Sequence, residues 1–141
     1  MTSESRLYTF SPETRDKLRK FRLGTSRVST PQAVIYLIDK KHLEIKPHED
    51  AEVYTTLAAL ADELPEHAPR FVLLSYPLTL STGRQAAPYV LLSYMPPTTN
   101  SELRMLYASA RELMRNTAEV GRVIEVANEE EVLGVEEVLR G

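Results

Sequence analysis

Phe71-Val72-Leu73-Leu74-Ser75-Tyr76 and Tyr89-Val90-Leu91-Leu92-Ser93-Tyr94 are two closely similar apolar runs. Each has strand length and is rich in aliphatic and aromatic side chains. Thr82-Gly83-Arg84 lies between them and carries a turn signal, so the runs read as an antiparallel hairpin with a long connection. VLLSY occurs in both, at 72–76 and 90–94, but the flanks do not match. The coincidence is therefore no repeat: two adjacent buried strands select the same residue types. Strands this apolar must be covered on both faces, and the rest of the chain supplies the cover.

Residues 1–10 read as a flexible N-terminal segment. Ser11-Pro12-Glu13 then opens a helix, with a capping hydroxyl, a proline suited to the first turn and a carboxylate at the positive end. It runs to about Leu23 and stops at Gly24. Its apolar face is narrow, Leu18 and Phe21 with Thr14 a turn before, while Arg15, Lys17, Arg19, Lys20 and Arg22 occupy the other faces. Residues 24–31 read as a loop. Ala33 to Ile38 is a strand buried on both faces, Asp39 to His42 a turn, and Leu43-Glu44-Ile45 a second strand. After Pro47 to Asp50, the spacing of Val53, Leu57, Leu60, Ala61 and Leu64 predicts a helix that Pro65 ends. The longest helix runs from Ser101 to about Val120, capped by Asn100 or Ser101 and stopped at Gly121. Val123 to Val126 is the last strand. Asn128 caps a short acidic helix with Val132, Val135 and Leu139 on one side. Hairpin strand pairs separated by helices predict an α+β fold: one domain over residues 1–141, with a mixed sheet of five or six strands and helices on both faces.

The 141 residues are 43% hydrophobic and 26% charged, as in ordinary globular domains. No apolar run is long enough to span a bilayer, and the N-terminus has no apolar segment like that of a signal peptide. The absence of cysteine excludes disulfides, thiolate catalysis and zinc–thiolate sites. The chain reads as cytosolic, and as a monomer because no long apolar seam is left over. Net charge is −3, unevenly spread: residues 1–30 hold seven basic and three acidic side chains, while residues 128–141 hold five Glu against Arg140. An acidic total argues against nucleic-acid binding, and a local basic segment can still steer the chain onto an acidic partner.

No catalytic constellation is present: GxGxxG, GxxxxGK[ST], HExxH and GxSxG are all missing. His42, His48 and His67 fall in predicted loops without shared spacing and read as surface histidines rather than metal ligands. The Glu129–Glu131 and Glu136–Glu137 clusters lack the alternating spacing and turn glycine of a cation loop. No cofactor or metal is expected.

The long helix carries more than packing. At about 100° per residue, Leu103, Leu106, Tyr107, Ala110, Leu113, Met114 and Thr117 form a core-facing stripe. Arg104, Arg111 and Arg115 form a file on its flank, with Ala108 just beyond. A solvated face is the simpler reading of these arginines. Met105, however, falls opposite the core, and a polarisable side chain exposed between an arginine and a small residue suits an adaptable interface.

KLRKFR (17–22), PRFVLLSY (69–76), GR (83–84), YVLLSYMPP (89–97), MLYASA (105–110) and TAEVGRVIEV (117–126) together resemble the glia maturation factors. These are a branch of the actin-depolymerising-factor/cofilin homology (ADF-H) family. The resemblance spans nearly the whole chain in order. It implies the ADF-homology fold and no enzymatic activity. It also implies binding to the actin-related protein 2/3 complex, dissociation of daughter-filament branches and inhibition of actin nucleation, with actin a further partner. The implied place of action is the cytoplasmic actin cytoskeleton at cortical patches, with the nucleus second. Under the resemblance, the long helix would enter the barbed-end groove of an actin-related subunit through Arg104, Met105, Tyr107, Ala108, Arg111 and Arg115. Lys20 and Arg22 join from the first helix. Ser3 and Glu4, with Thr2 and Ser5, join from the N-terminus, where phosphorylation would weaken docking to an acidic surface. A second surface would hold Arg84, Glu136 and Glu137.

Departures from the pattern are equally visible. Glu112 and Glu119 interrupt the positive charge that follows the MxYA element in cofilins, which lowers the expectation of severing. A cofilin-like actin-severing protein is the alternative function. A phosphoinositide-binding surface using residues 15–22 is a further one.

Overall fold

The computed structural model describes residues 8–48 and 51–140. Ser11 caps the first helix, α1 (Pro12–Gly24), by accepting from the Thr14 amide. A single 3-10 turn, Thr25–Arg27, follows. Then come β1 (Gln32–Asp39), β2 (Glu44–Pro47), α2 (Leu57–Glu63), β3 (Arg70–Ser75), β4 (Leu78–Thr79), β5 (Gln85–Ala86), β6 (Tyr89–Tyr94), α3 (Ser101–Ala118), β7 (Val123–Val126), α4 (Glu129–Leu133) and α5 (Val135–Arg140).

Five strands form one mixed sheet in the order β2-β1-β3-β6-β7. The pairs β1/β2, β1/β3 and β3/β6 are antiparallel, with Val72 opposite Leu92 in the two similar runs. β6 and β7 are parallel, and α3 makes the crossover that a parallel pair requires. The loop of the expected hairpin contains its own small ribbon, β4 with β5.

Alternation along the strands divides the core in two. Val34, Tyr36, Ile38, Phe71, Leu73 and Leu91 face α1 and α3, where they meet Leu18, Tyr107, Ala110 and Met114. Ala33, Ile35, Val72, Leu74, Val90 and Leu92 face α2, α4 and α5, where they meet Leu60, Val132, Val135 and Leu139. Helices therefore cover both faces, as the apolar runs demand.

Four sequence expectations are corrected by the backbone. The predicted N-terminal flexibility does not reach residues 8–10: Tyr8 and Phe10 are buried. The Thr9 amide donates to the Leu43 carbonyl and its carbonyl accepts from the Ile45 amide, both at 2.9 Å. The helix expected to carry Val53 begins only at Leu57, capped by Thr56. β2 pairs with the Tyr36–Asp39 end of β1, so the backbone of Ala33 is free on that side. Tyr54 takes it, exchanging both backbone hydrogen bonds with Ala33 at 2.8 and 2.9 Å, and leaves Val53 exposed. α3 stops at Ala118 rather than at Gly121. Glu119 takes the left-handed conformation, φ 57°, and the amides of Glu119 and Val120 satisfy the last carbonyls of the helix. The terminal acidic helix is broken into two at Gly134, although Val132, Val135 and Leu139 all face inward as expected.

Met114 is fully buried at the centre of the α3 seam. Met114→Ala is expected to cost about 2–5 kcal/mol in denaturant unfolding, because the surrounding sheet cannot collapse into the cavity. Glu119→Gly is expected to raise stability by about 0.5–1 kcal/mol. Relief of the left-handed backbone outweighs loss of the partly exposed Arg22 ion pair. An unchanged or lowered unfolding midpoint would show that the ion pair dominates.

Candidate functional site

The inward stripe of α3 fixes what the helix presents outward. Tyr107, Ala110, Met114 and Ala118 are buried, with Leu103, Leu106 and Leu113 packed beside them. The Tyr107 hydroxyl accepts from the Ile38 amide at 2.9 Å, and its ring lies 5.2 Å from that of Phe71. Burial raises its phenol pKa. Tyr107 is thus a core residue that seats the helix, and its assignment to the partner-binding surface is corrected.

Met105 is 72% exposed, on the side away from the sheet. Arg104 and Ala108 are exposed beside it. The Arg104 guanidinium donates to the carbonyls of Pro96 and Pro97, both at 3.3 Å, so it is positioned without losing its charge to a carboxylate. Arg111 pairs with Glu125 of β7 at 2.7 Å. Arg115 makes two hydrogen bonds to Glu112, at 2.8 and 3.2 Å. That contact holds the Glu112 carboxyl below its ordinary value and raises the pKa of Arg115.

α1 packs against α3 with its basic face outward. Lys20 pairs with Asp16 at 2.9 Å, and Arg19 reaches the same carboxylate at 3.2 Å. Hydrogen bonding to Lys20 lowers the Asp16 pKa. Arg22 crosses to Glu119 at the end of α3, 3.2 Å away. Glu119 is fourteen residues beyond Met105, about 20 Å along the helix axis. The expected primary residues therefore form a long strip, not a compact pocket. Tyr8 sits beside the middle of α3, where its hydroxyl donates to the Leu106 carbonyl at 3.2 Å and bonds the Ser109 hydroxyl at 2.5 Å. Ser3 and Glu4, with Thr2 and Ser5, lie outside the described residues.

The expected second surface divides. Arg84 is exposed in the turn between β4 and β5, and Glu137 is exposed on α5. Glu136 accepts from the Tyr76 hydroxyl at 2.6 Å and pairs with Arg140. Burial, followed by the Glu136 contact, pushes the Tyr76 phenol up to about 12. Glu136 thus ties α5 to the end of β3.

Several of these partners escape one-dimensional reading. The Arg111–Glu125 and Arg22–Glu119 pairs join residues on different elements, and the Pro96 and Pro97 carbonyls carry no side-chain signal. The apolar–polar–apolar run Tyr8-Thr9-Phe10 was the available sign that the chain is docked before α1.

Among the described residues no group of three or more His, Asp or Glu side chains forms a metal site. His42 bonds Asp39 and His67 bonds Thr98, each in an exposed loop. No helix among the described residues is long and apolar enough to cross a membrane.

The arrangement, a sheet between two helical layers with a long helix presenting one solvent face, is the ADF-homology fold. The family model for cofilin/tropomyosin-type actin-binding proteins matches residues 7–140. The chain is 37% identical over 130 residues to Protein AIM7 of Saccharomyces cerevisiae, covering 88% of this chain and 87% of that one. It is 34% identical over 125 residues to human glia maturation factor beta, covering 89% and 84%. The solution structure of glia maturation factor from Caenorhabditis elegans superimposes with a TM-score of 0.73 at 29% identity, covering 93% of both chains. The chain belongs to the cofilin/tropomyosin-type actin-binding family, in its glia-maturation-factor branch.

Met105→Asp is expected to leave the unfolding free energy within about 0.5 kcal/mol of wild type, as for other solvent-facing substitutions. A larger loss in a thermal or denaturant melt would place Met105 in the packing of the domain.

Proposed function

We propose that this protein regulates branched actin networks by binding the actin-related protein 2/3 complex, promoting filament debranching and inhibiting nucleation. The observation that carries the reading is Met105, exposed between Arg104 and Ala108 on a helix whose opposite side is locked into the core. An apolar tip beside an uncompensated guanidinium suits a groove with an apolar floor and an acidic group at one edge. Membership in the family supports actin or an actin-like subunit as the owner of that groove.

In this reading Arg104, Met105 and Ala108 enter the barbed-end groove of an actin-related subunit. Arg111, Arg115, Lys20 and Arg22 meet its rim, and Ser3 and Glu4 add the N-terminal contact. Arg84 and Glu137 form the second surface, against the neighbouring subunit or the daughter filament. Binding two surfaces in a geometry that the branch cannot adopt stabilises the unbranched state by differential affinity. The mechanism involves no bond chemistry and no cofactor. The protein acts as a monomer at the cytoplasmic actin cytoskeleton.

The deciding experiment follows branches on filament networks built with the purified complex, beside cosedimentation with bare filaments. Faster branch loss without shortening of bare filaments is expected. Severing of bare filaments would replace this reading with a cofilin-like one. Arg104→Ala is expected to weaken binding to the complex about five- to tenfold, the scale of an ordinary net hydrogen bond, and Met105→Asp to weaken it more, with both variants folded. Normal binding by both would remove α3 from the interface.

A further inference from the structure

We propose that Asp16, Glu112, Glu119 and Glu125 are specificity determinants. They hold the α1–α3 face in a chequered charge pattern that accepts a partner surface of alternating sign and disfavours a uniformly anionic one. This rests on the reading that the face docks onto a partner.

The pattern is explicit in the ion pairs. Arg19 and Lys20 share Asp16, Arg22 holds Glu119, Arg111 holds Glu125 and Arg115 holds Glu112, at distances of 2.7 to 3.2 Å. Hydrogen bonds from Lys20 and Arg115 hold the carboxyls of Asp16 and Glu112 below their ordinary values. Viewed from a Debye length of about 8 Å, each one-to-one pair is a dipole with no net charge. A uniformly acidic surface gains little from those pairs. It must compete with each internal carboxylate for its cation, and it brings its own charge against that carboxylate. A partner that offers a base opposite each carboxylate and an acid opposite each cation meets neither penalty. Among the described residues Arg104 is the one arginine of α3 without a carboxylate within ion-pair distance; it is held by two carbonyls. The net attraction along α3 is therefore concentrated beside Met105, and the rest of the strip reads pattern instead of total charge.

The pairs are also separable from the fold. Glu112 and Glu125 have side chains 68% and 74% exposed, so their amides can be tested without disturbing the core. Glu63 and Glu130 are exposed on α2 and α4, over the other face of the sheet, and provide substitutions of equal charge.

The experiment compares the double variant Glu112→Gln/Glu125→Gln with Glu63→Gln/Glu130→Gln. Retention on a sulfonate resin, a uniformly anionic surface, needs no protein partner. The site variant is expected to be retained about two- to fivefold more strongly than the control, the range released by unmasking exposed ion pairs. Equal retention would overturn the proposal. Binding to bare filaments and to the purified actin-related protein 2/3 complex is then measured in parallel. In this proposal bare filaments are the uniformly anionic target and the complex the one of alternating sign, so the site variant is expected to gain at least about threefold on its preference for bare filaments over the complex, relative to the control. An equal gain on both targets, or none, would overturn the specificity role. If wild type fails to bind the complex at all, the proposed function falls. The resin and bare-filament comparisons still decide whether these carboxylates mask the face.

Discussion

Tyr107, Ala110, Met114 and Ala118 press α3 onto the sheet, and the Tyr107 hydroxyl receives a backbone amide of β1 at the same seam. A helix has one angular position once such a stripe is buried. Rotating α3 enough to expose Tyr107 would uncover a ring packed on Phe71 and leave the Ile38 amide without its partner. The outward direction of Met105, the flank position of Arg111 near β7 and the reach of Arg104 to the Pro96 and Pro97 carbonyls all follow from this seam. The surface that α3 offers to solvent is thus set by residues that never reach it.

Charge on that surface is distributed on a second principle. A basic strip could have been built from free lysines and arginines, as the count of cations in residues 1–30 suggests. Instead most of the strip's cations have a carboxylate in contact, on the same helix for Arg115 and Lys20 and on another element for Arg22 and Arg111. Such pairs contribute little to stability, on the order of 0–1 kcal/mol each. On the proposed reading their effect falls on recognition, where sign and spacing matter more than strength.

How much of this could be read in one dimension depends on the range of the interaction. The five sheet strands, the Ser11 cap and the inward stripe of α3 arise from periodicity and neighbouring residues, and they were legible; the cap of α3 was legible as Asn100 or Ser101, and Asn100 supplies it. Met105 was legible as exposed for the same reason. Tyr107 was misplaced because a shared motif outweighed its position on the inward stripe. The helix drawn through Val53 failed because a free backbone on β1 captured Tyr54 first, a tertiary competition invisible to local spacing. The end of α3 shifted because Glu119 adopted a conformation usually left to glycine, with the actual glycine two residues later. The carboxylate partners of Arg22 and Arg111 lie 97 and 14 positions away along the chain, so only the folded arrangement reveals them.

The bonds of Thr9 to Leu43 and Ile45, on the outer side of β2, have a meaning beyond anchoring. An outermost strand with unsatisfied amides and carbonyls is a template on which another chain can add. Residues 8–10 occupy that template on one side, and Tyr54 occupies the stretch of β1 that β2 leaves uncovered. At Thr9 the N-terminal stretch therefore covers the outer edge of β2, where another chain would otherwise find free amides and carbonyls. Trimming the chain past Phe10 removes that cover together with the buried Tyr8 and Phe10 and the Tyr8 hydrogen bonds to α3, so an uncovered sheet edge and a loosened helix seam share one structural origin.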